Sequence, residues 1–241
     1  MRIKIARAAL LAAGLMALLG TAGAQSLTVV PVNVQMAPKQ MATALTLINQ
    51  GDTETSVQIR VLAWGQPGGA EELTPSDDVL VSPPIATIAP GATQVVRLVL
   101  GRQPQGREAT YRILVDQIPP AAAPGTVRIA LRLSIPVFAE PPTRTASRVK
   151  YHVESKDGQA TLVALNDGSR HETMREVALT TSAGDGLTTA ANASPYILAG
   201  ATRRWPIAAS ARLPLPGEAL RMTGRSEAGA VDQKITVVTG P

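Results

Sequence analysis

From Val127 to Phe138 the chain alternates its side chains with a period of two. Val127, Ile129, Leu131, Leu133, Ile135 and Val137 are aliphatic, and Arg128, Ala130, Arg132, Ser134, Pro136 and Phe138 between them are mostly polar or small. Such alternation marks a strand with one apolar face. At about 3.3 Å per residue it predicts a span of roughly 40 Å, against a usual strand of about 5–6 residues. So much apolar face has two readings. It is a long core strand of a β-sandwich, or part of it is meant for another chain.

The rest of the sequence is built in the same style. Leu27–Met36, Ala42–Asn49, Ser56–Trp64, Leu80–Ile88, Gln94–Leu100 and Thr110–Ile118 are β-rich, with turn residues such as Asn49-Gln-Gly-Asp52 and Ala89-Pro-Gly-Ala92 between them. Pro31 predicts an edge position or a switch between sheets, and Gly65–Asp78 reads as a loop. Seven strands in the first part of the chain, at this turn spacing, point to a sandwich. Ala139–Arg144, with Pro141-Pro142, reads as a stiff link. Val149–Glu154, Ala160–Asn166, Glu176–Thr181, Tyr196–Leu198, Thr202–Ile207, Ala219–Thr223 and Lys234–Val238 then predict a second, smaller sandwich. The fold class is all-β. The expected organisation is a leader over 1–24, a first domain over 25–140 and a second over 145–241.

The leader reading rests on Arg2, Lys4 and Arg7, the apolar run Ala8–Leu19 and the small-x-small site Ala22-Gly23-Ala24. The run is shorter than the ~20 residues needed to span a bilayer, and no later stretch is longer, so no membrane insertion of the mature chain is expected. Removing three basic residues with the leader leaves 20 Lys+Arg against 18 Asp+Glu. With no basic run and few aromatics, nucleic acid is not an expected partner. The absence of cysteine excludes disulfides, thiol catalysis and cysteine–zinc sites. His152 and His171 lack metal spacing and read as surface strand or loop residues. Glu71-Glu72 and Asp77-Asp78 read as solvated loop acids, Trp64 and Trp205 as core plugs, and Met36 and Met41 as core. No nucleophile elbow, phosphate loop or zinc-helix motif occurs, so no catalytic residue, metal site or cofactor is expected.

Several motifs, in order, carry a resemblance. They are Leu45-x-Leu-x-Asn49, Val61-x-x-Trp64, Ser82-Pro-Pro-Ile-x-x-Ile-x-Pro-Gly91, Val96-Arg-Leu98, Tyr111-Arg-Ile-x-x-x-x-Ile-Pro119 and Ile129-Ala-Leu-x-x-x-Ile-Pro-Val-Phe138. In the second half Asn166-x-Gly168, Tyr196-Ile-Leu-x-Gly200 and Trp205 follow. The chain resembles the periplasmic pilus-assembly chaperones of the chaperone–usher pathway. The resemblance implies two immunoglobulin-like sandwiches set at an angle and a periplasmic, non-enzymatic role. It implies two partners, a pilin-like secreted subunit and an outer-membrane usher. It also implies a donor strand whose Val127, Ile129, Leu131, Leu133 and Ile135 complete a subunit that lacks its last strand. The Ser134-Ile-Pro-Val-Phe138 ending points to a divergent branch, one serving spore-coat-U-like subunits.

The family's two basic anchors for the subunit's C-terminal carboxylate fall on Asn33 and Pro136 in this sequence, and neither is basic. Arg112, with Arg132 behind it, is the candidate substitute; the competing reading makes both solvated strand arginines. A different class of function also fits the same sandwiches, an exported two-domain binding or adhesion protein.

Overall fold

The computed structural model describes residues 27–121, 125, 127–143, 145–189, 194–208 and 213–240. The leader expected over residues 1–24 lies outside them. The first domain contains, among the described residues, β1 (Leu27–Val30), β2 (Val34–Met36), β3 (Ala42–Asn49), β4 (Thr55–Gly65), β5 (Glu72–Pro75), β6 (Val79–Ser82), β7 (Ile85–Ile88), β8 (Thr93–Leu100), β9 (Ala109–Ile118) and β10 (Arg132–Ala139). One sheet has the order β1-β3-β8-β6. The other runs β2-β10-β9-β4-β5, with β7 also on β4. The chain passes from the first sheet to the second at Pro31 and again at Pro83-Pro84, where proline withdraws a ladder donor. Those crossings split two of the expected strands. The segment expected as a loop, Gly65–Asp78, contributes β5.

Alternation then fills the space between the sheets. Val57 and Ile59 from β4, Val96 and Leu98 from β8, Ile113 and Val115 from β9, and Ile135 and Val137 from β10 form one buried cluster with Leu45, Leu47 and Met36. Trp64 lies outside that cluster and packs between the domains with Phe138 and Leu198.

The second domain comprises, among the described residues, β11 (Val149–Lys156), β12 (Gln159–Asn166), β13 (Glu172–Thr173), β14 (Arg175–Thr180), β15 (Gly186–Leu187), β16 (Tyr196–Ile197), β17 (Thr202–Pro206), β18 (Ala219–Ser226) and β19 (Gly229–Thr239). The sheet order is β15-β14-β18-β19-β11-β12-β17, with β13-β16 as a separate pair. The long β19 joins two leaves, since it runs antiparallel to β18 over most of its length and parallel to β11 at Val237–Thr239. The leaves close over a core of its own that includes Leu162, Leu179, Trp205, Met222 and Val237. Among the described residues no helix is long and apolar enough to cross a membrane.

An asparagine ties each sandwich across its turn in the same way. Asn49 Oδ1 accepts from the Gly51 N–H, while its Nδ2 donates to the carbonyls of Thr53 and, across the domain, Ile88. Asn166 Oδ1 accepts from Gly168 and Arg148, and its Nδ2 donates to the carbonyls of Arg170 and Ile197. Gly168 is required at its position, because a Cβ there would stand 2.4 Å from the Ala146 carbonyl oxygen. Buried polar groups left unpaired cost about 1–3 kcal/mol each. Asn166→Ala should therefore lower second-domain stability by at least about 2 kcal/mol in denaturant unfolding, with Asn49→Ala acting comparably on the first domain.

Candidate functional site

The expected twelve-residue strand is divided. Only Arg132–Ala139 is strand; Leu131 still accepts from the Gln117 N–H of β9, and residues 127–130 leave the sheet. The cause lies on the neighbouring strand. β10 pairs with β9 from Ala139↔Ala109 to Arg132↔Asp116. Continuing that register sets Ile129 against Pro119, the next position whose N–H would face β10, and a proline carries none. The aliphatic face divides with the ladder. Ile135 is 4% exposed and Val137 fully buried in the domain's own core, and Leu133 packs on its rim. Val127 is 92% exposed, Ile129 90% and Leu131 40%. Ile135, expected on the partner-facing row, is thus committed to this domain.

Polar contacts mark the division. Asp116 binds Arg60 at 2.6 Å and also Arg132, across β4, β9 and β10. Burial raises the pKa of the Asp116 carboxyl, but the hydrogen bonds from Arg132 and Arg60 outweigh it and hold the group below the usual carboxylate range. Arg132 is therefore engaged on the outer face. It stands four residues, about 13 Å along the strand, from Pro136.

Asn33, Pro136 and Arg112 fall in one row. β2 runs parallel to β10 with Val34 beside Val137, so Asn33 stands one step earlier, level with Pro136, and Pro136 pairs with Arg112. Arg112 is thus the basic residue at the level where the family's anchors fall. Its side chain is only 11% exposed. The guanidinium lies 3.7 Å from the centre of the Trp64 ring and 5.5 Å from that of Tyr196, a residue of the second domain. Burial pulls its pKa down, while the Glu71 carboxylate and Tyr196 push the other way. Glu71 stands 3.9 Å away, beyond hydrogen-bond distance. The indole Nε1 of Trp64 is buried and, among the described residues, without an acceptor. The cleft therefore presents a stacked, largely desolvated cation. Asn33 has its own contact, accepting from Gln35 Nε2 at 3.3 Å.

Beneath this cleft the domains are joined by polar groups. Gln66 donates from Nε2 to the Tyr196 carbonyl at 2.9 Å and accepts from the Leu198 N–H at 3.0 Å. Arg203 donates to the Gly69 carbonyl at 2.9 Å. On the other side, Glu108 Oε2 accepts from the His171 N–H at 2.9 Å and lies 2.7 Å from His171 Nδ1. The His171 ring is fully buried, stacks on Phe138 at 3.6 Å between centres, and has Glu227 3.3 Å from its Nε2. The surface position expected for His171 is thus corrected. It faces a buried carboxylate of the first domain and a ring on the strand that continues from residues 127–131. Glu108, His171, Phe138 and Tyr196 converge from four segments; Phe138 and Tyr196 fall within the sequence motifs, whereas no motif marks Glu108 or His171.

Removing one partner of a buried pair is costly, so Glu108→Ala should destabilise the two-domain unit by about 3–5 kcal/mol in denaturant unfolding. The Asp116 clamp carries the opposite kind of test. Its folded pKa is the lower one, so its contribution is full above about pH 4, the ordinary aspartate value, and is lost as pH falls further. Asp116→Asn should abolish that acid-side dependence in the protection factor of the Gln117 amide, which donates to the Leu131 carbonyl beside the clamp.

A family model described as the pili and flagellar-assembly chaperone, PapD N-terminal domain, matches residues 26–145. The chain is 28% identical over 147 residues to the chaperone protein FimB/FhaD of Bordetella pertussis, which covers 55% of this chain and 58% of that protein. The matched stretch thus spans little more than half of that curated relative. Among solved structures, the chain resembles one from the chaperone–tip adhesion subunit complex CsuC–CsuE of archaic pili in Acinetobacter baumannii. That likeness has a TM-score of 0.65 at 23% identity, over 90% of this chain and 100% of that one. The complex of the SafA pilin with the SafB chaperone from Salmonella enterica gives 0.59 at 15% identity, over 89% and 97%. The YadV chaperone gives 0.63 at 15%, over 87% and 98%. At these identities the structures speak for the fold, two immunoglobulin-like sandwiches, and the sequence match speaks for descent. The chain belongs to the PapD-like chaperones of pilus assembly.

Proposed function

We propose that this protein is a periplasmic chaperone that holds a pilin-like secreted subunit by donating residues 127–131 as a strand, and delivers it to an outer-membrane usher. The carrying observation is the exposure of Val127, Ile129 and Leu131 on a segment that β9 does not pair beyond Leu131. An aliphatic row on a backbone with an open edge matches what a sheet with a missing strand requires. It needs ladder bonds for its open edge and side chains for its open core. Strand addition of this kind is an established recognition mode, chaperone–pilin pairing among its instances. The subunits named in the CsuC–CsuE and SafA–SafB complexes support the same class of partner here.

The outer edge of β10 extends the surface. β2 covers β10 only at Val137–Ala139, so the edge is open from Arg132 to Pro136 on that side. A partner strand laid along 127–134 would end its run at the row of Asn33, Pro136 and Arg112. Its terminal carboxylate would there meet the Arg112 guanidinium, for which Glu71 is a distant partner. Burying three aliphatic side chains contributes about 1.5–3 kcal/mol each, reduced by the cost of ordering both chains. Affinity on that scale permits release to a competing strand without nucleotide hydrolysis. The family and the leader pattern at Arg2–Ala24 support a non-catalytic, periplasmic role.

On periplasmic co-expression with a pilin-like subunit, the double variant Ile129→Asp, Leu131→Asp should abolish subunit recovery while the chaperone keeps its unfolding midpoint. Undiminished recovery would remove the donor-strand reading. Arg112→Ala should weaken capture about ten- to a hundredfold, the worth of a charge-assisted hydrogen bond. Arg112→Lys should not restore it, because an ammonium neither stacks on Trp64 nor bridges a carboxylate in the same way. Equal affinity of parent and Arg112→Ala would take Arg112 out of the cleft's anchor.

A further inference from the structure

The aliphatic row is repetitive. Val127, Ile129, Leu131, Leu133 and Ile135 follow one another at every second position, so the pattern looks the same after a slip of two residues. A partner groove reading only that row has several equivalent alignments. A fixed alignment therefore needs a marker outside the row. We infer that Gln117 is that marker, a positioning residue that sets which aliphatic residues are offered to a partner strand. The inference rests on the donor-strand reading above.

The geometry is specific to one residue pair. The main-chain N–H of Gln117 donates to the Leu131 carbonyl at 2.9 Å, as in a regular ladder. The return bond is irregular, because the Leu131 N–H donates at 3.3 Å to the side-chain Oε1 of Gln117, where a ladder would use the main-chain carbonyl. One residue thus holds both polar groups of Leu131 on the β9 side, and its side chain caps the ladder at that point. Outward from the cap, the next N–H that would face this segment belongs to position 119, and Pro119 has none. Inward, Arg132 is tied to Asp116 and Leu133 sits on the core. With the cap in place the domain keeps Leu133 and offers Val127, Ile129 and Leu131. Without it, the chain peels toward Leu133 and a groove can engage two residues further along.

The chain has no cysteine, which makes the register directly readable. An Ile129→Cys chaperone is co-expressed with a pilin-like subunit that co-purifies with it and carries single cysteines scanned along its groove strands. In the parent background one groove position should form the disulfide. Adding Gln117→Leu should move the cross-link by two residues or divide it between two positions, with the unfolding midpoint unchanged. Gln117→Glu, which keeps an acceptor, should restore the parent position. In the chaperone alone, exchange of the Leu131 amide should rise about tenfold in Gln117→Leu, as loss of a hydrogen bond of ordinary worth implies. An unchanged cross-link position, or an unchanged Leu131 exchange rate, would overturn the role of Gln117 and leave the donor strand intact. Absence of any cross-link in the parent would overturn the donor strand itself, and this role with it.

Discussion

A β-ladder persists only while both strands supply hydrogen-bonding groups, and Pro119 ends the supply of donors on one side of β10. Everything proposed for this protein depends on that interruption. Without it, residues 127–130 would pair with β9 like the rest of the strand, and the row of aliphatic side chains would be an overlong edge. With it, the backbone of the segment leaves the sheet while Leu133, Ile135 and Val137 remain anchored in the core. A single sequence pattern thereby serves two hydrophobic interiors, one inside the chain and one outside it. Apolar surface left in water is normally an aggregation hazard. Here it is confined to a short tether with Arg128 and Arg132 between the aliphatic residues.

The junction between the domains is held by polar groups in a dry setting. Gln66, Arg203 and the Glu108–His171 pair each reach from one domain into the other, and Trp64, Phe138 and Tyr196 exclude water around them. Buried polar contacts of this kind add less to net stability than apolar packing would, but they are intolerant of misalignment. They therefore suit an interface whose task is to keep two sandwiches in one arrangement. Phe138 links that interface to the tether, since it stacks on His171 and belongs to the strand that continues from residues 127–131. Arg112 stacks on Trp64 of the same aromatic group, so the placement of this cation depends on the same packing.

Much of this was readable in the sequence, and the limits have physical causes. Strands were legible where one face alternates over a core, as in β3, β4, β8 and β9. Pro31 announced a crossing between sheets because it cannot donate to a ladder. Gly65–Asp78 read as loop because β5 is exposed at all its residues and shows no apolar period. His171 read as a surface residue because burial of a histidine is set by a partner 63 positions away, Glu108. Arg112 could be singled out by sequence, but its stacking on Trp64 could not. Arg132, equally basic and on the same apolar-polar pattern, turned to Asp116.

By itself the sequence determined the all-β class, the alternating face and the absence of cysteine, because period, proline and composition are local properties. It also placed asparagine and proline where family anchors were expected, since that is a matter of residue identity. Tertiary structure decided which part of the alternating row belongs to the chain's own core and which part projects from it. That division is made by Pro119, Gln117 and Asp116 on a neighbouring strand, and a strand's neighbour is fixed by pairing across the sheet, not by anything within the strand's own residues.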